Sequence, residues 1–329
     1  MALIAILNKF REQNQPIFTV EISPPVHFNG ILKTWETLDI LKDLDLQGLA
    51  VTNNTGGSFK LNPLSIAREI RQFIPQMPII VHLTARDEGS ARSLYTNLAN
   101  MEKHNISDLL VIRGDPTPGA SKQVDSYRYF TYELVRLTSE YRDGKLQDGS
   151  ETGRKTALDI LIAGHPEFPD SQLAKHFAFQ KRKMEFGANG IICNIVNDPV
   201  RYSIYMDAAR HAGIDMPMIP SVIPLNSFKR VEFLEERIHV SVPTHIRSRL
   251  EALPKEEAFH FAVQQATLIA EELLDRGAPG INFNVIFKRD AEAVREVLRN
   301  LRGYATLWEK YDLEPGDEDY FEILRNRGY

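Results

Sequence analysis

Glu21 stands in the run IFTVEIS (17–23), where the apolar residues Phe18, Val20 and Ile22 alternate with Thr19 and Glu21. In a strand this two-residue period sends Glu21 to the face opposite Val20 and Ile22, toward the inside of a closed sheet. A carboxyl group held in such a partly dry place gains proton affinity, as a general acid at neutral pH requires. Polar residues recur at the ends of other β-rich runs. Thr52 follows Val51 in QGLAVTN (47–53), His82 lies between Val81 and Leu83 in PIIVHLT (78–84), and Asn194 follows Cys193 in NGIICNI (189–195). LLVIRGDPTPG (109–119) runs from an apolar strand straight into Arg113, Gly114 and Asp115. Taken singly, a buried Glu is usually salt-bridged and a lone His near a strand end is usually hydrogen-bonded core. Together they point to one rim of convergent polar groups.

Other chemistries are disfavoured. No pair of His or carboxylate residues has i, i+4 spacing at a rim and the His-Glu-x-x-His pattern is missing, so no metal is expected. Cys193, the single cysteine, shares the parity of Ile191 and Ile195 and should pack against helices rather than act as a nucleophile. A Gly-x-Ser-x-Gly elbow is also missing. One cysteine excludes an internal disulfide framework and fits a reducing, cytoplasmic setting. A net charge of −5 with scattered Lys and Arg speaks against nucleic acid as a partner. No window approaches the roughly 18–20 apolar residues of a membrane span.

The elements that must position these residues read as eight βα units. To the runs above are added DLLVIRG (108–114), LDILIAG (158–164), MPMIPSVI (216–223) and GINFNVI (280–286). Between them SIAREIRQFI (65–74), RSLYTNLANMEKH (92–104), QLAKHFAFQKRKMEFGA (172–188) and AEAVREVLRNL (291–301) carry helical periodicity. The fold class is therefore α/β, a single-domain (β/α)8 TIM barrel, in which chemistry belongs at the carboxyl ends of the strands. An open doubly wound sheet is second, since the glycine-rich GxGxxG turn and the GxxxxGK[ST] loop are both missing. MALIAILNKFREQNQ reads as a surface or packing helix, without a basic leader or clear cleavage site. The polar stretch 143–157 should be a solvated loop. The long connection before the last strand should hold an extra helix at 256–277. The barrel is expected over 1–303 and a short C-terminal extension over 304–329.

VEISPP (20–25), VTNNTGGS (51–58), VHLT (81–84), LLVIRGDPTPG (109–119), HPEFPDS (165–171), KRKMEFGAN (181–189) and IPSVIPLNSFK (219–229), in this order, resemble the methylenetetrahydrofolate reductase family across essentially the whole barrel. The resemblance implies a flavin-dependent enzyme of one-carbon metabolism. NAD(P)H gives hydride to FAD, with FMN as the alternative, and departs. The folate substrate 5,10-methylenetetrahydrofolate follows and is reduced to 5-methyltetrahydrofolate. By position, Glu21 is implied as the acid that protonates the folate nitrogen. Asp115 is implied beside the flavin, stabilising the cationic iminium. Thr52, His82, Ile112, Arg113, Gly114, Asp115, Ala163, His165, Arg182 and Lys183 fall at cofactor positions. Glu21, Asp115, Asn194 and Phe228 fall at substrate positions. A homo-oligomer is implied as well.

The chain also departs from the family. His165 replaces the tyrosine of a Tyr-Pro-Glu block, and the downstream His-Pro is Phe168-Pro169. An Asp and an Asn that contact FAD become His176 and Phe179. A Thr-Gln pair becomes Cys193-Asn194, and the final Thr-Leu-Asn becomes Val285-Ile286-Phe287. Two other readings follow. One is a variant reductase with FMN or no flavin, another C1-carrying pterin, or an electron-delivering protein partner. The other is a non-catalytic barrel subunit that docks through 143–157 or the tail after 312. Retention of both Glu21 and Asp115 favours the reductase.

Overall fold

The computed structural model describes residues 2–117 and 127–301. Eight parallel strands close in sequence order into a barrel: β1 (Ile17–Ile22), β2 (Gly48–Val51), β3 (Ile79–Thr84), β4 (Asp108–Ile112), β5 (Asp159–Gly164), β6 (Gly190–Ile195), β7 (Met218–Val222) and β8 (Gly280–Val285). The helices in chain order are α1 (Leu3–Glu12), α2 (Ile31–Leu41), α3 (Pro63–Phe73), α4 (Ala91–Lys103), α5 (Thr131–Arg142), α6 (Asp170–Glu185), α7 (Pro199–His211), α8 (Phe228–Phe233), α9 (Thr244–Ala252), α10 (Lys255–Asp275) and α11 (Lys288–Leu301). Two helix starts are written locally in Asn-Pro and Asp-Pro. The Asn62 side chain accepts from the N–H groups of Leu64 and Ser65, and Asp198 does the same for Val200 and Arg201, each ahead of a proline that has no N–H to orphan.

Strand parity sorts the core into two layers. Val20, Ile22, Val51, Val81, Leu83, Ile191 and Cys193 pack outward against the helices. Ile17, Ala50, Ile80, Leu110, Leu161, Ile192 and Ile219 fill the barrel interior. The amino-terminal helix α1 closes the lower end: Leu3 and Leu7, both buried, join that interior cluster. Its first N–H groups are satisfied by carboxylates at the lower ends of two strands, Leu3 N–H donating to Asp108 at 2.6 Å and Ile4 N–H to Asp159 at 2.8 Å. Burial and the neighbouring Asp159 hold the Asp108 carboxyl above its ordinary range.

The helix expected at 256–277 exists as α10, but it is not an extra. It packs on α7, α11, β7 and β8 and is the ordinary return crossover between the last two strands. The added elements are α8, the π-helical turn Leu234–Ile238 and α9. They are too short to give a readable period. The loop at 143–157 is largely exposed, held by an antiparallel bridge between Lys145 and Glu151. The extension expected at 304–329 lies outside the described residues. Among the described residues no helix is long and apolar enough to cross a membrane.

Leu7→Ala would open a cavity in the closed lower end. It is expected to cost about 2–5 kcal/mol, read as a lower urea midpoint with an unchanged slope.

Candidate active site

The upper end of the barrel gathers polar side chains because register and parity leave no alternative. Glu21 pairs in register with Asn284 on one side and Ala50 on the other, and Ala50 pairs with Ile80. All four face inward. Since Ala50 is small, Glu21 reaches across β2 toward His82, two residues above Ile80, with Oε2 at 3.6 Å from His82 Nε2. Asn284 Nδ2 donates to Glu21 Oε1 at 2.9 Å. One layer below, Thr19, Asn282 and Ser221 stand side by side. Thr19 Oγ1 donates to Asn282 Oδ1, Asn282 Nδ2 to Ser221 Oγ, and Ser221 Oγ to the Cys193 carbonyl.

Among the described residues no lysine or arginine pairs with Glu21. Burial pushes its carboxyl up to about 7, and the amides of Asn284 and Asn282 pull it only partly back. Burial takes His82 the other way, down to about 3, so the imidazole is neutral. At neutral pH Glu21 is therefore a partly protonated acid in a dry floor. Cys193 faces the helices, and burial pushes its thiol up, which makes it inert.

Among the described residues, the buried polar atoms at the strand tops without a hydrogen-bond partner include Ser23 Oγ, His82 Nε2, Glu88 Oε2, Glu167 Oε2 and Asn284 Oδ1. Buried polar groups are normally satisfied, so these atoms are available to bond a polar ligand.

Asp115 belongs to a second network, on the rim. Its Oδ2 accepts the Gly56 N–H at 2.7 Å, and its carbonyl accepts from Arg86. Asp87 ties the neighbouring loops, accepting from Thr84 Oγ1 at 2.6 Å, from Asn54 Nδ2 at 3.1 Å, and from both Nε and Nη2 of Arg86 at 2.9 Å. Gly114 takes φ +85°, with Thr84 and Arg86 so near that an added Cβ would lie 3.1 Å from Thr84 Cβ. Asp115 is exposed, whereas the sequence suggests an anion sunk at the mouth. The turn after β4 carries it outward onto the clasp. It shares the upper end of the barrel with Glu21 but not the same hydrogen bonds.

The remaining candidates fall at three places. Thr52 Oγ1 accepts from Thr55 Oγ1 at 2.7 Å, Ile112 edges the interior cluster, and Arg113 lies 4.9 Å over the Tyr127 ring. Beyond β5, His165 stacks on Phe168 and its Nδ1 meets Glu167 Oε1 at 2.9 Å, the same oxygen that accepts from Asn194 Nδ2 at 2.8 Å. Asn194 also accepts the Ile195 N–H, which fixes its amide at both ends. On α6, Gln180 Nε2 donates to the Ala163 carbonyl, and burial lowers Lys183 to about 8 with no ion pair among the described residues. Arg182 lies 3.9 Å over Tyr132. Phe228 opens α8 beneath Arg247, 5.1 Å from its ring. Sequence reading missed Asn284, Glu167, Arg86 and Asp87. The inward parity of Asn284 was available as a signal, while the other three sit on loops without periodicity.

A family model described as Methylenetetrahydrofolate reductase matches residues 6–302. The 5,10-methylenetetrahydrofolate reductase of Salmonella typhimurium is 25% identical over 243 residues, covering 73% of this chain and 75% of its own. Methylenetetrahydrofolate reductase (NADH) 1 of Arabidopsis thaliana is 23% identical over 298 residues, 86% of this chain and 48% of that one. A probable methylenetetrahydrofolate reductase (NADPH) of Caenorhabditis elegans is 20% identical over 305 residues, 90% and 43% respectively. The chain thus spans about half the length of these plant and nematode relatives. A solved Clostridium thermocellum structure, described as an uncharacterized protein that binds two copies of 5-methyl-5,6,7,8-tetrahydrofolic acid, shares the fold. Its TM-score is 0.62 at 15% identity, covering 90% of this chain and 99% of that one.

Glu21 binds its proton more tightly folded, at about 7, than at the ordinary value of 4.5. Its favourable contribution is therefore complete below the lower value and lost as pH rises through the upper one. Glu21→Gln is expected to exceed the parent in stability by roughly 1–3 kcal/mol at about pH 8, after discounting for partial exposure, and to converge with it in acid. Urea midpoints across pH check this, and a constant offset would contradict a buried acid.

Proposed function

From the premise that the chain belongs to the methylenetetrahydrofolate reductase family, as the match over residues 6–302 shows, we propose that it reduces 5,10-methylenetetrahydrofolate to 5-methyltetrahydrofolate through a flavin, with NADH or NADPH as donor. The observation that carries this reading is Glu21, a carboxyl held up to about 7 in a floor ringed by polar atoms without partners. A carboxyl with that proton affinity suits a reaction needing an acid at neutral pH.

The residues fit a flavin. His82 Nε2 lacks a partner at the strand tops, Gly114 brings bare backbone close to the rim, and Lys183 is a desolvated cation without an ion pair among the described residues. Thr52, His82, Ile112, Arg113, Gly114 and Ala163 would hold the ring and its chain. Arg182 and Lys183 would meet phosphate, with His165 alongside. When bound, the flavin supplies a two-electron carrier that takes hydride from the nicotinamide and gives it to the one-carbon unit.

Glu21 delivers a proton to the folate nitrogen that releases the one-carbon unit, breaking its C–N bond and opening the ring. Asp115 adds negative charge near the cation that results, an interaction stronger in the transition state than before it. Asn194 presents an amide already oriented by Glu167, and Phe228 offers an aromatic face to a planar substrate. The form of flavin is proposed as FAD. The wall where an adenosine would lie is more aromatic than polar: His176 is bonded to Tyr205 at 2.7 Å and Phe179 stacks near Tyr132. That specific feature keeps FMN as the second reading.

The purified protein is expected to be yellow and to release FAD on denaturation, identified by mass. FMN would select the second reading, and a colourless protein without folate affinity would contradict both. Glu21→Gln is expected to abolish folate reduction, by a factor on the order of 100–10,000 for loss of a general acid, while sparing flavin reduction by the nicotinamide. Equal loss of both half-reactions in stopped flow would remove Glu21 from the acid's role.

A further inference from the structure

A carboxylic acid has two oxygens and one proton, and at Glu21 the two oxygens have different neighbours. Oε1 receives the Asn284 amide at 2.9 Å, and Oε2 faces His82 Nε2 at 3.6 Å, beyond hydrogen-bond range. An amide N–H prefers the carbonyl oxygen of a protonated carboxyl to its hydroxyl oxygen, whose lone pairs are poorer acceptors. We infer that Asn284 is a positioning residue for Glu21, its amide occupying Oε1 so that the acid proton resides on Oε2, on the side of His82. The inference rests on the reading of Glu21 as the folate acid for its function, though not for its geometry.

Three features of the floor make this pairing decisive. Glu21 and Asn284 are partners in the β1–β8 register, so parallel pairing alone brings their side chains together on the inner face. The groups that act on Glu21 from the strands around it are Asn284 and Asn282 of β8 and His82 of β3. His82 is neutral and does not titrate near neutrality. Asn282 acts in the same direction but less than Asn284, while also bonding Thr19 and Ser221. Asn284 is thus the side chain whose direct donation most favours the ionised form against burial. Its own Oδ1 is buried without a partner, so the bond to Glu21 is what the orientation of this amide turns on.

Asn284→Leu removes the donor at similar size, and Asn284→Asp keeps the shape while replacing the donor by an acceptor. Difference infrared spectra of ligand-free parent against Glu21→Gln isolate the carbonyl band of protonated Glu21, which can be titrated. Loss of a hydrogen bond to a charged group is expected to move that midpoint about one to two pH units alkaline in Asn284→Leu, and at least as far in Asn284→Asp, where two carboxyls share a proton. In flavin-loaded enzyme, the pH midpoint of the folate half-reaction should move with it, while flavin reduction by the nicotinamide keeps its profile. An unmoved infrared midpoint with slower turnover at every pH would leave Asn284 a merely structural residue and overturn the inference. An acid shift would overturn it too, since the amide would then be accepting from Glu21. If the band shifts while the folate midpoint stays, the positioning role holds and the assignment of Glu21 as folate acid fails.

Discussion

Glu21 is a carboxyl largely withdrawn from water, with no lysine or arginine paired to it among the described residues, and the organisation of the barrel mouth follows from that. Ionised, it would be costly in so dry a floor; neutral, it can rest there and give up a proton when a reaction demands one. The neighbours keep the balance near neutrality. A cation at His82 would have pinned Glu21 as a permanent anion, whereas a neutral imidazole leaves it free to change state. Apolar walls alone would have pushed it further up, and the Asn284 and Asn282 amides restrain that rise.

Such a site needs a rigid frame, and each end of the barrel provides one differently. At the lower end α1 inserts Leu3 and Leu7 into the interior, and its N-terminus is met by Asp108 and Asp159. Burying two leucines there contributes about 1.5–3 kcal/mol each, which helps offset an unpaired carboxyl above. At the upper end Asp87 joins the loops after β2 and β3, and Arg86 and the Gly56 N–H join them to Asp115 in the loop after β4. Loops at a strand end cannot bury enough surface to hold themselves, so a polar clasp holds them together. Asp115 is carried on this clasp, at the rim and in contact with solvent.

The wall beyond β5 has a different character. His165, Phe168, His176 and Tyr205 pack as a continuous aromatic group, and Glu167 links it to Asn194 at the top of β6. Burial lowers His176 to about 3, so that ring of the wall is neutral.

The sequence by itself determined the eight strands, their inward and outward faces, the place of Cys193 against the helices and the candidacy of Glu21, because each depends on a two-residue period or a local cap that a short window contains. It did not distinguish an added helix from the regular crossover at α10, since periodicity records that a helix exists but not what it packs on. Only the tertiary structure decided that Glu21 meets Asn284, some 260 residues away along the chain, that Ala50 leaves room for it to approach His82, and that Asp115 rides outside on the Asp87 clasp. Those outcomes depend on barrel closure and register, which join the first strand to the last, and no local pattern encodes a contact between the two ends of a chain.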